Sequence, residues 1–171
     1  KGGVGTTTIA AHIAFDLVRS APGQRVCLVD LDLEKGDVAA LIEVRHRASI
    51  ADVAKVSDDL SARAVNDAVV VHESGLHLLL TPDDVRDVEA VTPRALREVV
   101  AVLRQEYDLV IVDAGSHVTP IQATAVEHLQ RARQHELVEE DRLLVHPAVV
   151  VRVFQHADPA ARLALGRRRH V

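Results

Sequence analysis

The opening of the chain, Lys1-Gly2-Gly3-Val4-Gly5-Thr6-Thr7-Thr8, constrains it more than any other segment. Glycines at this density let the backbone turn with positive φ and come close to a ligand. The next residues put Ile9, Ile13, Ala14, Leu17 and Val18 at helical spacing, and Ala21-Pro22-Gly23 ends that pattern. A glycine-rich loop running straight into a helix points successive N–H groups into one concavity, at the positive end of the helix dipole. Anions, phosphates above all, bind such a place. Against the phosphate-loop pattern G-x-x-x-x-G-K-[ST], Gly5 matches the second glycine and Thr7 the hydroxyl residue, while Thr6 stands where lysine is usual. The dinucleotide pattern G-x-G-x-x-G fails, because Thr8 replaces its last glycine.

Downstream, short apolar runs alternate with helical patterns. Residues 25–31 (RVCLVDL) and 109–112 read as buried strands, the second ending at Asp113, and 76–80 as a third strand. Helices are expected over 36–44, over 50–55 with Ser49 as cap, over 58–67, and from Thr92-Pro93 onward with Leu96, Val99, Val100 and Leu103 as the buried stripe. Residues 69–71 lean toward strand. This alternation implies right-handed crossovers and a three-layer α/β fold with a mainly parallel sheet. Beyond about residue 128 the pattern degrades. A strand interrupted by Pro147 fits within 142–154, and a helical turn or two fits within 160–165.

Composition narrows the function. Only three of 171 residues are aromatic, Phe15, Tyr107 and Phe154, so the core must be aliphatic and a base-stacking platform is nearly excluded. Residues 1–127 carry 12 Lys and Arg against 20 Asp and Glu, an acidic body unsuited to broad, non-specific DNA binding. Residues 129–171 form an atypical basic tail ending Arg167-Arg168-Arg169, read as solvated. Cys27 has no internal disulfide partner and sits inside a predicted strand, which favours an inert core thiol and a reducing compartment. His72, His77 and His117 have no zinc-ligand spacing with it. Asp30 is either a strand-end structural acid or an outer group of a Mg²⁺ site, and the structural reading is preferred.

Lys1-Gly2-Gly3-Val4-Gly5 together with Val29-Asp30-Leu31-Asp32 resembles the deviant-Walker ATPases of the MinD/ParA class, P-loop NTPases of the SIMIBI type with the signature K-G-G-x-G-K-[ST]. Residues 26–41, 72–84 and 92–116 look most like the CpaE/TadZ-type pilus assembly proteins. The resemblance spans about 1–128, a P-loop nucleotide-binding domain whose first strand would precede Lys1, so the chain is expected to be N-terminally truncated. The resemblance implies ATP and Mg²⁺ as cofactors. It implies that Gly2, Gly3, Val4, Gly5, Thr6, Thr7 and Thr8 cradle phosphates, and that Lys1 reaches a phosphate across a nucleotide-sandwich homodimer. It also places Thr7 and Asp113 at the metal, and Asp32 near the attacking water. After Asp113 the Pro-containing segment of many members is replaced here by Ala114-Gly115-Ser116.

Thr6 is the departure that matters most. It can donate a hydrogen bond but cannot replace a cation beside the β- and γ-phosphates, and phosphoryl transfer depends on positioned cations. The expectation is therefore an atypical ATP-binding protein with weak or no hydrolysis. It would be cytoplasmic or recruited to the inner face of the membrane or the pole, serving a pilus or secretion system through protein partners. The alternatives are an active partition or septum-site ATPase, and a scaffold that binds no nucleotide.

Overall fold

The computed structural model describes residues 5–115, 119–131, 143–146 and 149–153. The loop residues Lys1, Gly2, Gly3 and Val4, and the helical turn expected within 160–165, lie outside them. A six-stranded sheet forms the middle layer in the order β2-β3-β1-β4-β6-β5. Its strands are β1 Val26–Asp30, β2 Val70–Val71, β3 His77–Leu79, β4 Leu109–Asp113, β5 Leu143–His146 and β6 Val149–Val153. The three central strands, β3, β1 and β4, run parallel. The flanking pairings, β2 on β3, β6 on β4 and β5 on β6, are antiparallel. The sheet as a whole is therefore mixed. β2 and β3, and likewise β5 and β6, are joined by short connections, which turn the chain back, while β6 reaches β4 only after a longer stretch that includes β5; parallel neighbours need a crossover helix.

Successive residues of β1 face opposite layers, as the two-residue period of a strand requires. Val26 and Leu28 join Leu78, Leu109 and Ile111 beneath helix α1 (Thr6–Ser20), with Val38 of α2 (Asp37–Leu41). Cys27 and Val29 join Leu79, Val110 and Val112 on the other side. There they meet α3 (Ile50–Lys55), α4 (Ala62–Ala68), α5 (Pro93–Glu106) and Ala125 of α6 (Pro120–Arg131). Cys27 is fully buried and its thiol is pushed up to about 12 by burial, so it holds no reactive thiolate near neutral pH.

Several elements differ in detail from their sequence signals. The face of α1 that packs deepest is Ala10, Ala11 and Ala14, while Ile9 is 46% exposed. Small side chains let the helix lie close on the sheet, and the larger Ile13, Leu17 and Val18 fill its flanks. The single helix expected over 58–67 is a 3-10 turn, Ser57–Asp59, followed by α4. Ser61 restarts the helix by accepting from the Ala64 N–H at 3.3 Å, so the chain extends at 60–61 instead of continuing. Helix α3 forms as its cap predicts, with a reciprocal box between Ser49 and Asp52. The core is aliphatic with one exception. Tyr107 is wholly buried, with the Arg25 guanidinium 4.6 Å over its ring and the His77 ring edge-on.

Candidate functional site

The candidate site lies where β1 and β4 end and α1 begins. Gly5 takes φ 75°, ψ 30°, a left-handed turn that glycine reaches without steric cost, and α1 starts at the next residue. Among the described residues no side chain caps that helix, and no acid stands in its first turn. Its leading N–H groups and the positive end of its dipole therefore face an open hollow. The hollow is a cavity of about 290 Å³ lined by Gly5, Thr6, Thr7, Thr8, Asp32, Lys35, Asp37 and Leu41. Of the loop residues singled out from sequence, the structure brings together Gly5 to Thr8 with Asp32 around this space.

Asp30 and Asp113 end adjacent parallel strands in register and are fully buried. Asp30 acts on its own loop: Oδ1 accepts from the Asp32 N–H at 3.0 Å and Oδ2 from the Val38 N–H at 3.3 Å. Burial pushes its carboxyl up to about 7, the Asp32 N–H draws it down, and the neighbouring Asp113 charge adds to the rise. Asp113 is likewise raised, by burial first. The Thr7 hydroxyl lies beside it and draws it down without closing a full hydrogen bond to Oδ2, and the Gly115 N–H donates to Oδ1 at 3.2 Å. Asp113 Oδ2 is buried with no hydrogen-bond partner among the described residues.

An orphaned, buried carboxylate oxygen is costly unless something else completes it. Beside a threonine hydroxyl at the mouth of an anion-binding loop, a hydrated divalent cation fits that vacant valence. Mg²⁺ keeps several waters and needs only one or two protein oxygens alongside phosphate. This agrees with the described residues holding no group of three or more His, Cys, Asp or Glu able to cage a metal. Thr7 and Asp113 would hold the ion, which when bound neutralises phosphate charge.

Asp32 sits across the hollow, at 9% exposure. Its carbonyl accepts from the Lys35 and Gly36 N–H groups at 3.1 and 2.8 Å, which closes the turn into α2. Its carboxyl rests on the backbone of Gly115, where a β-carbon would lie only 2.6 Å from Cγ and Oδ2. Residues 114–115, which break the usual Pro-containing pattern, thus make room for this acid. Neither Gly115 nor Gln122 of α6 stands out as a site residue from sequence. Gly115 carries a faint signal as a glycine two residues past a strand-end aspartate. Gln122 carries none, since its partner is 91 residues away.

Comparison with known proteins places this arrangement. Residues 1–132 match the family model described as ATPase MipZ. The chain belongs to the MipZ ATPase family, within the MinD/ParA class. It is 32% identical over 134 residues to the septum site-determining protein MinD of Bacillus subtilis (strain 168), covering 77% of this chain and 48% of that protein. To the chromosome-partitioning ATPase Soj of Thermus thermophilus it is 40% identical over 131 residues, covering 74% and 47%. The chain thus spans about half the length of the curated relatives it matches. Among solved structures, a ParA family ATPase from Chlorobium tepidum TLS superposes with TM-score 0.69 at 26% identity, covering 78% of this chain and 62% of that one. MinD from Pyrococcus horikoshii OT3, solved as a complex with Mg-ADP, superposes with TM-score 0.62 at 25% identity, covering 75% and 51%. Family membership and a P-loop fold of parallel central strands with flanking helices are thereby established for this chain.

The raised carboxyl at Asp30 has a consequence for stability. Its folded-state pKa of about 7 exceeds its usual 3.8, so the folded chain keeps a proton that the unfolded chain has released. The stabilisation is full below about pH 4 and is lost as pH rises toward 7. His77, whose pKa burial lowers, contributes in the opposite direction near pH 6. The difference between wild type and Asp30→Asn therefore isolates the effect. Between pH 5 and 8, the ligand-free melting temperature of wild type is expected to fall relative to that of the variant. Parallel curves would show that Asp30 is ionised throughout.

Proposed function

We propose that this chain binds ATP with Mg²⁺ at the mouth formed by Gly5–Thr8, Thr7, Asp113 and Asp32, and hydrolyses it slowly or not at all. One observation carries the reading. The N-terminus of α1, with no side-chain cap among the described residues, opens on the 290 Å³ hollow, and Thr7, which lines that hollow, lies beside the buried Asp113 carboxylate with its unpartnered oxygen. Lys1, Gly2, Gly3 and Val4 would complete the phosphate cradle, with Lys1 reaching a phosphate across a homodimer. Thr6 lines the hollow where a lysine is usual, and the acids Asp32 and Asp37 face it with Lys35. Such a site holds a triphosphate through backbone N–H groups, metal and Lys1, and lacks at position 6 the cation that stabilises charge as the phosphoryl group leaves. Nucleotide state would then govern dimerisation and partner binding, in a localisation or assembly factor of a pilus or secretion system working at the inner face of the membrane or the pole. Segments 26–41, 72–84 and 92–116, which look like CpaE/TadZ-type proteins, support this finer reading.

The second reading, an active septum-site or partition ATPase, is favoured by the names of the MinD and Soj relatives. Thr6 and the acidic body count against it. A thermal-shift titration tests binding first. A ligand at 100 times its Kd stabilises by about 2.7 kcal/mol. For a chain of this size that raises Tm by roughly 5–10 °C. Mg²⁺-ATP is expected to give such a rise, and ATP with a chelator a smaller one. No rise with either would favour a scaffold that binds no nucleotide.

A further inference from the structure

Gln122 spans the two segments that carry the site's acids. It lies in the first turn of α6 and is 7% exposed. Its Oε1 accepts from the Thr119 N–H at 2.6 Å, the backward half of a capping box that starts the helix. Its Nε2 donates to the Leu31 carbonyl at 3.1 Å, inside the protein. The second contact is not needed for capping. It reaches the peptide that immediately precedes Asp32. The Leu31 N–H meanwhile donates to the Asp113 carbonyl at 2.8 Å. Leu31 is therefore held on both sides, by the residue that bears one acid and by the side chain that anchors the chain beyond it.

Among the described residues, the other contacts on the Leu31–Asp32 backbone are local or come from the neighbouring strand. The Asp32 N–H goes to Asp30, and its carbonyl accepts from residues 35 and 36. Gln122 alone adds a side chain from a distant element. A buried amide with both ends satisfied is a rigid link, and loss of one end leaves a buried carbonyl or N–H without a partner. We propose that Gln122 is a positioning residue for the acids of the site. It clamps the peptide before Asp32 to the start of α6, so that Asp32 and the chain following Asp113 keep one fixed separation. That these acids serve a nucleotide rests on the function proposed above, whereas the clamp can be measured without ligand.

Amide hydrogen exchange of the full chain, ligand-free at pH 8, provides the test. Gln122→Met removes both contacts at similar volume. Gln122→Glu keeps an acceptor for Thr119 and, in its ionised form, has no donor for Leu31. In both variants the amides of 31–36 are expected to exchange roughly tenfold faster, as loss of one buried hydrogen bond implies. In Gln122→Glu the amides of 119–123 stay as protected as in wild type. A purely structural role would instead raise exchange evenly through β1 and α6. That even rise, or unchanged exchange at 31–36, overturns the proposal. A parallel arm with Mg²⁺-ADP separates the two ideas. If wild type shows no new protection at residues 5–8, the nucleotide reading fails while the ligand-free comparison still decides the clamp.

Discussion

Replacing Gly115 by alanine is expected to cost roughly 2–5 kcal/mol of stability and to dislodge Asp32. Two independent effects add. At φ 66° an alanine is strained, because its β-carbon crowds the carbonyl, at about 1–2 kcal/mol. The new β-carbon would also lie 2.6 Å from Asp32 Cγ and Oδ2 and 2.9 Å from its Cβ. No real contact is that short, so the acid must move, at an overpacking cost of about 1–3 kcal/mol. Gly23 supplies the control. It has φ 89° with nothing within 4 Å of a β-carbon, so Gly23→Ala carries the strain alone. Chemical denaturation of both variants gives the difference due to Asp32. Asp32→Ala removes the two closest atoms and should recover part of the loss in the Gly115→Ala background. Equal costs at positions 23 and 115 would show that Asp32 does not rest on this glycine.

That experiment also shows where sequence reading stops. The buried strands around Val26–Asp30 and Leu109–Asp113 were legible, because fully buried parallel strands read as unbroken aliphatic runs. Helix α3 was legible to the residue, because Ser49 marks its start as a cap; the reciprocal bond from Asp52 is what the structure adds. Periodicity did not reveal which face of α1 lies deepest. An apolar stripe counts large residues, whereas close approach to a sheet selects alanine. Helix α6 was not among the helices expected from sequence, and its role depends on Gln122, whose partner is set by the tertiary fold. The site was legible where it rests on local motifs, Gly5 to Thr8 and the two strand-end acids. It was opaque where it rests on contacts between segments, such as Gly115 beneath Asp32 and Asp30 bonding across its own loop. Asp30 holds its own loop, since each of its oxygens accepts from a backbone N–H group, which supports the structural reading preferred from sequence.

Thr6→Lys is expected to tighten Mg²⁺-ATP binding by at least tenfold and to raise the single-turnover cleavage rate further. The cavity into which residue 6 faces is lined by two acids, Asp32 and Asp37, against Lys35, with Asp30 and Asp113 buried behind it. A triphosphate entering this field is opposed by charge and relies on backbone dipoles and metal. A lysine at the start of α1 would add a unit charge near the β- and γ-phosphates. At 4 Å and an effective dielectric near 20, such a pair is worth about 4 kcal/mol. Water and Mg²⁺ already screen part of this, so tenfold, about 1.4 kcal/mol, is a floor for binding. Cleavage should gain more, because the cation acts most strongly on charge that develops as the phosphoryl group leaves. Thr6→Met, with comparable length and no charge, separates electrostatics from filling of the cavity and should give neither gain. The gain of Thr6→Lys should also shrink as ionic strength rises. Equal affinities for wild type and Thr6→Lys, or rapid ATP consumption by wild type, would mean that the missing cation is supplied elsewhere in the assembled protein and that Thr6 does not limit the chemistry.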